Sequence, residues 1–188
     1  GVISIIRWAL SRLLGELSRS LGLLVKAVPL LMIFSLILFL TPELWQVFSQ
    51  LPDASLLLLV GLFVLLGAAF LIARIPNEVS DLERQAGAGG PPLKPRQRFN
   101  VGLVLFVSQS LQVLLVALAV AVFFVVFGLL TIDATTVASW TTGPADVLFQ
   151  FHLAGRDAEM TRELLRVAAA IASFTGLYFA ISMLTDDL

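Results

Sequence analysis

The chain contains no cysteine and only one histidine among its 188 residues. The absence of cysteine excludes disulfide bonds, thiolate metal sites and cysteine nucleophiles. A lone histidine, His152, cannot form a recognisable zinc motif without cysteine. The glycines at 87–90 lack the preceding strand and the Lys-Ser/Thr of a phosphate-binding loop. We therefore expect no catalytic residues, no metal and no cofactor.

Charged residues are also scarce. They make up 13% of the chain, whereas apolar residues make up 59%; a soluble domain has about 25% charged residues. With a mean hydropathy of +0.98, a globule of this size would present a continuous apolar surface to water. The composition excludes ordinary soluble enzymes, nucleic-acid-binding domains and disordered chains. It predicts an all-α, polytopic integral membrane protein.

Four segments are long and apolar enough to cross the hydrocarbon as helices, which takes about 20 residues. They are residues 23–40, 54–73, 101–132 and 167–184, which together predict a four-span domain over 23–188. Their one ionisable residue, Lys26, lies near the end of its span and can reach the headgroups. Because ion and proton pathways use ionisable groups at membrane depth, these spans favour a structural role.

The basic residues of the loops indicate the orientation, since cytoplasmic loops carry the excess of Lys and Arg. The N-terminal segment and the second loop, 74–98, hold nine basic residues together. The first loop, 41–53, holds none, and the third loop, 133–166, holds three. This asymmetry predicts that both termini and the second loop lie in the cytoplasm. We expect Trp45 and Trp140 at the opposite interface, where their amphipathic rings prefer to lie.

An amphipathic helix is predicted before the first span, over residues 1–22. Its apolar residues recur at spacings of three and four, and a basic row lies opposite them. We expect the basic residues of this region to bind anionic lipid headgroups at the cytoplasmic surface: Arg7, Arg12, Arg19 and Lys26. The alternative is that the same helix packs on a protein partner through its leucine seam, as in a short coiled coil.

The other two loops differ in character. Residues 77–99 form a cytoplasmic linker, in which a helical turn or two can precede the helix-breaking Ala, Gly and Pro run at 86–92. Residues 144–154 contain an apolar segment that is too short to span. We expect a short helix at the outer face there, and the alternative is a loop folded over the bundle.

Two features of the spans concern association. Small residues four apart form a ladder on the last span that lets another helix approach closely: Ala168, Ala172, Gly176 and Ala180. Ala117 and Ala121 are possible counterparts, and the contact can be internal or with another subunit. The third span carries a polar patch of Ser108, Gln109 and Gln112, about a third of the way in from the cytoplasmic side. The patch either contacts a substrate or lipid headgroup, or holds helices together through amide hydrogen bonds.

Several segments of the chain resemble a family of uncharacterised multi-pass integral membrane proteins of actinobacteria. They are AVPLL (27–31), TPELWQV (41–47), RIPNEV (74–79), TRELLR (161–166) and GLYFA (176–180). The resemblance covers most of the chain and implies a protein of the bacterial plasma membrane. It implies no activity and no site.

These patterns lead to a first functional hypothesis, a non-catalytic membrane subunit or scaffold. It would associate with another membrane protein or with itself through the small-residue ladder. The alternative is a transporter, channel or lipid-handling protein with a polar lining of Ser108, Gln109 and Gln112. An intramembrane enzyme that uses His152 ranks third. No interaction with nucleic acid is expected.

Overall fold

The computed structural model of the chain describes residues 32–86, 93–141, 143–153 and 156–185. The helix predicted over 1–22 lies outside these residues, as do Arg7, Arg12, Arg19 and Lys26. Helix accounts for 83% of the structure, which confirms the prediction of a mainly helical chain.

Six helices and two strands follow one another in the described part of the chain. In order they are α1 (Met32–Phe39), α2 (Pro42–Gln50), α3 (Asp53–Ala86), α4 (Pro95–Thr131), α5 (Ala134–Thr141), β1 (Val147–Leu153), β2 (Arg156–Thr161) and α6 (Arg162–Thr185).

Three of these helices, α3, α4 and α6, are long and apolar enough to cross a membrane. The spans predicted over 54–73, 101–132 and 167–184 fall on them. Helices α1 and α2 are long and apolar enough to cross a membrane only when taken together, and the chain bends by 71° between them. The structure therefore supports a membrane protein with three candidate spans, and it describes the span predicted over 23–40 only from Met32 onward.

Helix α6 is the central member of the bundle and packs against both α3 and α4. Half of the residues in its most apolar stretch are buried (50%), compared with 22% in the corresponding stretch of α4 and 11% in that of α3. Close approach is possible because the helices meet at small residues. At Gly128 of α4, a Cβ atom would collide with the Leu164 side chain of α6 and would lie 3.2 Å from the Phe39 ring of α1.

Helix α3 begins, α4 ends and α6 begins at the same end of the bundle, since Asp53 pairs with Arg166 and Gly128 meets Leu164. We call it the hairpin end, because β2, the strand paired with β1, contacts α4 and α6 there. Helices α2 and α5 also pack at this end, and most of the buried apolar core lies among these elements. We call the opposite end, where α3 ends and α4 begins, the linker end.

The helix predicted over 144–154 is wrong, because this segment contains β1, which pairs antiparallel with β2. The sequence from Phe149 to His152 alternates apolar and polar residues, which is the period of a strand and not of a helix. The short helix at this end is instead α5, just before the hairpin.

The first predicted loop, 41–53, contains the helix α2, which begins with Pro42 at its first position, a place where proline is favoured. Trp45 does not lie at a lipid interface: it is fully buried, and its Nε1–H donates to the Phe39 carbonyl oxygen at 2.6 Å. Its ring packs edge-on against Phe39 and Trp140. The indole therefore holds the bend between α1 and α2, where a helical carbonyl would otherwise lack a donor.

Much of the predicted linker, 77–99, is helical. Helix α3 continues through Pro76 to Ala86, and α4 begins at Pro95. Side-chain pairs one turn apart, which favour helix, join Arg74 to Glu78 and Asp81 to Arg84. Between the two helices, the structure does not describe residues 87–92.

Candidate functional site

The small-residue ladder of α6 lies inside the bundle. Ala168, Ala172, Gly176 and Ala180 are all buried. A Cβ atom at Gly176 would lie 3.2 Å from the Cβ of Ala117 on α4, and one at Gly67 of α3 would lie 3.7 Å from the Cβ of Ala180. The ladder is therefore covered by α4 and α3 of the same chain, and Ala117 is one of its counterparts.

The polar patch of α4 meets an ion pair on α3. Gln109 Nε2 donates to Glu78 Oε2 at 2.6 Å, and the other carboxylate oxygen of Glu78 lies 2.6 Å from Arg74 Nε. The side chains of Arg74 and Glu78 are only 14% and 19% exposed. Both residues were predicted to lie in the second loop, because the predicted span ends at residue 73, whereas helix α3 continues beyond it.

Two oxygens of this patch are left without a hydrogen-bond donor in the described part of the chain. They are Oε1 of Gln109 and Oε1 of Gln112, and both atoms are buried. The Gln112 side chain is 8% exposed, while Ser108 is half-buried. A buried polar group without a partner costs about 1–3 kcal/mol, so these oxygens are suited to accept a hydrogen bond from water or from a bound group.

Helix lengths place this patch near a membrane boundary. At 1.5 Å per residue, Gln109 lies about 33 Å along α4 from Thr131, and Arg74 lies about 32 Å along α3 from Asp53. The hydrocarbon is about 30 Å thick. If the boundary at the hairpin end passes through Asp53 and Thr131, then Arg74, Glu78 and Gln109 lie at the opposite boundary. The ion pair thus avoids the middle of the membrane, where charge is costly.

A second set of charges lies at the hairpin end, around the start of α6. Arg166 is 13% exposed; its Nη2 lies 2.5 Å from Asp53 Oδ1, and its Nη1 donates to the Ser49 carbonyl at 2.8 Å. Arg162 Nε lies 2.7 Å from Asp146 Oδ2. The backbone N–H of Asp146 donates to the buried Glu163 carboxylate at 3.3 Å. These contacts tie the end of α2, the start of α3 and the approach to β1 onto α6.

His152 lies on the exposed surface of the hairpin. Its Nδ1 is 3.0 Å from Asp157 Oδ1, and the two side chains are 69% and 89% exposed. The hydroxyl of Ser139, on α5, donates to the Thr136 carbonyl at 2.7 Å. Within residues 32–86, 93–141, 143–153 and 156–185, no three His, Cys, Asp or Glu side chains are grouped to hold a metal ion.

These features define a class: a mainly helical membrane protein with three candidate spans, a β-hairpin at one end and charged contacts at both ends. The chain matches no protein-family model, no curated protein and no solved structure. The resemblance to actinobacterial membrane proteins therefore stays a prediction.

Proposed function

We propose that the chain is a non-catalytic integral membrane subunit or scaffold, which associates with another membrane protein or with a second copy of itself. The proposal rests mainly on helix α3, because the other residues that the structure describes bury only 11% of its most apolar stretch. The small-residue ladder of α6 does not serve for this association, because α3 and α4 already cover it.

The uncovered side of α3 offers a notch to another helix. Leu58, Gly61, Leu65, Ala69 and Ile72 recur at spacings of three and four, and all are exposed. No atom of the neighbouring helices lies within 4 Å of the Cβ position at Gly61. A glycine between two leucines lets a partner's backbone approach closely, which is the main source of specific helix association in lipid.

We place the linker end in the cytoplasm of a bacterial plasma membrane. Lys94 and Arg96 are exposed at this end. Arg162 and Arg166, at the hairpin end, pair with Asp146 and Asp53. The asymmetry that sets orientation is counted in Lys and Arg, and the loop at the linker end has five of them against three in the loop at the hairpin end. Binding of anionic lipids by Arg7, Arg12, Arg19 and Lys26 belongs to the same proposal, although these residues lie outside the described part.

Cross-linking from single cysteines tests the association, because the chain has no native cysteine. Leu65→Cys on α3 is compared with Val122→Cys on α4, where Val122 is also exposed (54%). The two positions lie at similar depths, because Leu65 is about 18 Å and Val122 about 14 Å along its helix from the hairpin end. With a photoreactive maleimide in native membranes, we expect one reproducible protein adduct from Leu65→Cys and none from Val122→Cys.

The adduct should disappear when Gly61→Leu is added to Leu65→Cys, because a leucine at 61 fills the notch. Adducts that persist in the double variant, or equal adducts from both helices, would contradict association through α3. Mass spectrometry of the adduct distinguishes a second copy of the chain from another protein. Recovery of the native chain as a monomer without any co-purifying protein would overturn the proposal as a whole.

A transporter, channel or lipid-handling protein is the second candidate, favoured by the two amide oxygens without a donor. On this view they face a solute or a headgroup at the linker end. The variant Gln109→Leu with Gln112→Leu should then abolish flux or lipid binding and leave the thermal unfolding midpoint unchanged. The subunit proposal predicts loss of assembly or stability in the same variant instead.

A further inference from the structure

The hairpin formed by β1 and β2 has two unlike faces. On one face, Gln150 Nε2 donates to Glu159 Oε1 at 2.9 Å, and His152 pairs with Asp157. All of these side chains are polar or charged, and His152 and Asp157 are mostly exposed. This face is suited to water.

The other face lies toward the helices and is apolar at four positions, Phe149, Phe151, Ala158 and Met160. Phe151 and Met160 pack against the buried core, and Ala158, the register partner of Phe151, is 2% exposed. Phe149 is the register partner of Met160, and directly paired residues of antiparallel strands project from the same face. Phe149 therefore belongs to the bundle-facing side, yet it is 65% exposed.

The position of the two strands explains this exposure. Strand β2 is the one that lies against α4 and α6, so β1 is the outer strand. Phe149 projects from the outer strand toward the side of the helices and is not covered by them. At the hairpin end, α4 carries apolar side chains that the described residues leave exposed, with Val126 and Leu130 49% and 45% exposed. In a membrane protein, a wall of this kind contacts lipid.

We propose that the hairpin is an interfacial anchor, which inserts Phe149 into the headgroup and acyl boundary of the leaflet at the hairpin end. An apolar side chain directed toward the membrane plane, with a polar face turned to water, is the arrangement of segments that lie in the interface. The anchor would fix how deep the helix ends sit and keep the hairpin flat on the bilayer. It does not depend on association through α3, so either proposal can fail alone.

Spin labels on single cysteines test the anchor. Phe149→Cys and His152→Cys, on opposite faces, are labelled with a nitroxide in the full chain and reconstituted into vesicles of phosphatidylethanolamine and phosphatidylglycerol. Oxygen concentrates in the acyl region and a charged nickel chelate stays in water. We expect the ratio of oxygen to nickel accessibility to be several-fold higher at 149 than at 152.

Two results would overturn the anchor. Equal, water-like ratios at both positions would mean that the hairpin stands away from the bilayer. A Phe149 label shielded from both reagents would mean that protein and not lipid covers it. If a labelled variant unfolds, Phe149→Trp and His152→Trp provide the same comparison through fluorescence quenching by brominated lipids, with the unsubstituted chain subtracted.

Discussion

Replacing Gly176 by leucine tests whether the ladder of α6 is an internal contact. A Cβ atom at this position already lies 3.2 Å from the Cβ of Ala117 and 3.7 Å from Cγ1 of Val113. Leucine adds three more carbons in the same direction, so α6 and α4 must separate or the new side chain must leave its preferred rotamer. Overpacking of this kind costs about 1–3 kcal/mol.

Gly61→Leu is the matched control when both variants are measured as monomers, at a protein concentration where association through α3 is lost. It makes the same chemical change in the middle of α3, where no described residue of another element lies within 4 Å of the Cβ position. Leucine is a better helix former than glycine by up to about 1 kcal/mol, and this gain is common to both variants. The difference between the two free energies of unfolding therefore isolates the packing cost. We expect Gly176→Leu to be less stable than Gly61→Leu by about 1–3 kcal/mol.

Thermal unfolding of the purified chain in a mild detergent, followed by circular dichroism, measures this difference. For a chain of this length, about 1 kcal/mol shifts the midpoint by roughly 2–4 °C, so the variants should differ by roughly 2–12 °C. The reasoning is refuted if the two midpoints agree while Gly176→Leu splits an oligomer that Gly61→Leu leaves whole. The ladder would then be a contact between subunits.

Two further predictions concern contacts at the hairpin end. Trp45→Phe removes the donor to the buried Phe39 carbonyl and should lower the free energy of unfolding by roughly 2–4 kcal/mol. Trp140→Phe, at a half-buried ring, should lower the free energy of unfolding by less than about 1 kcal/mol. Equal losses in the two variants would show that the hydrogen bond of Trp45 contributes nothing. Asp53→Asn leaves the largely buried Arg166 with only the Ser49 carbonyl; chemical unfolding should show a free energy of unfolding lower by about 1–2 kcal/mol, a value discounted because Asp53 is 68% exposed. Asp81→Asn breaks the exposed pair with Arg84 and should change the free energy of unfolding by less than about 0.5 kcal/mol. Similar effects of the two Asn variants would argue against a role of Arg166 in fastening α6.

Three of the four predicted spans fall on helices long and apolar enough to cross a membrane, because length and hydropathy are local properties of the sequence; the fourth span is not confirmed. The ladder was also visible, since residues four apart share a helix face. Periodicity could not tell whether that face meets the same chain or another one. Only the packing of Gly176 against Ala117 answers this.

The errors have physical causes. The hairpin was missed because the prediction for residues 144–154 was based on their apolar content as a whole. The alternation of apolar and polar residues from Phe149 to His152 indicates a strand. The helix α2 was missed because residues 41–53 were predicted only as the loop between two spans, whereas Pro42 is the first residue of a helix there. The contact between Gln109 and Glu78 joins residues on different helices, and no local pattern shows it.

The positions of the charges in the described part of the chain are the reason why we propose association and not transport. At the hairpin end, Arg162 and Arg166 are neutralised by carboxylates of neighbouring elements. At the linker end, Arg74 and Glu78 neutralise each other within one helix turn. Both sets lie at the ends of the apolar bundle and fasten its helices. A solute crossing between them would find small and apolar side chains packed against each other, as at Gly176 and Ala117. Among the three candidate spans, α3 is the one that the other described residues bury least, and its outer side is the surface through which we propose that the chain associates.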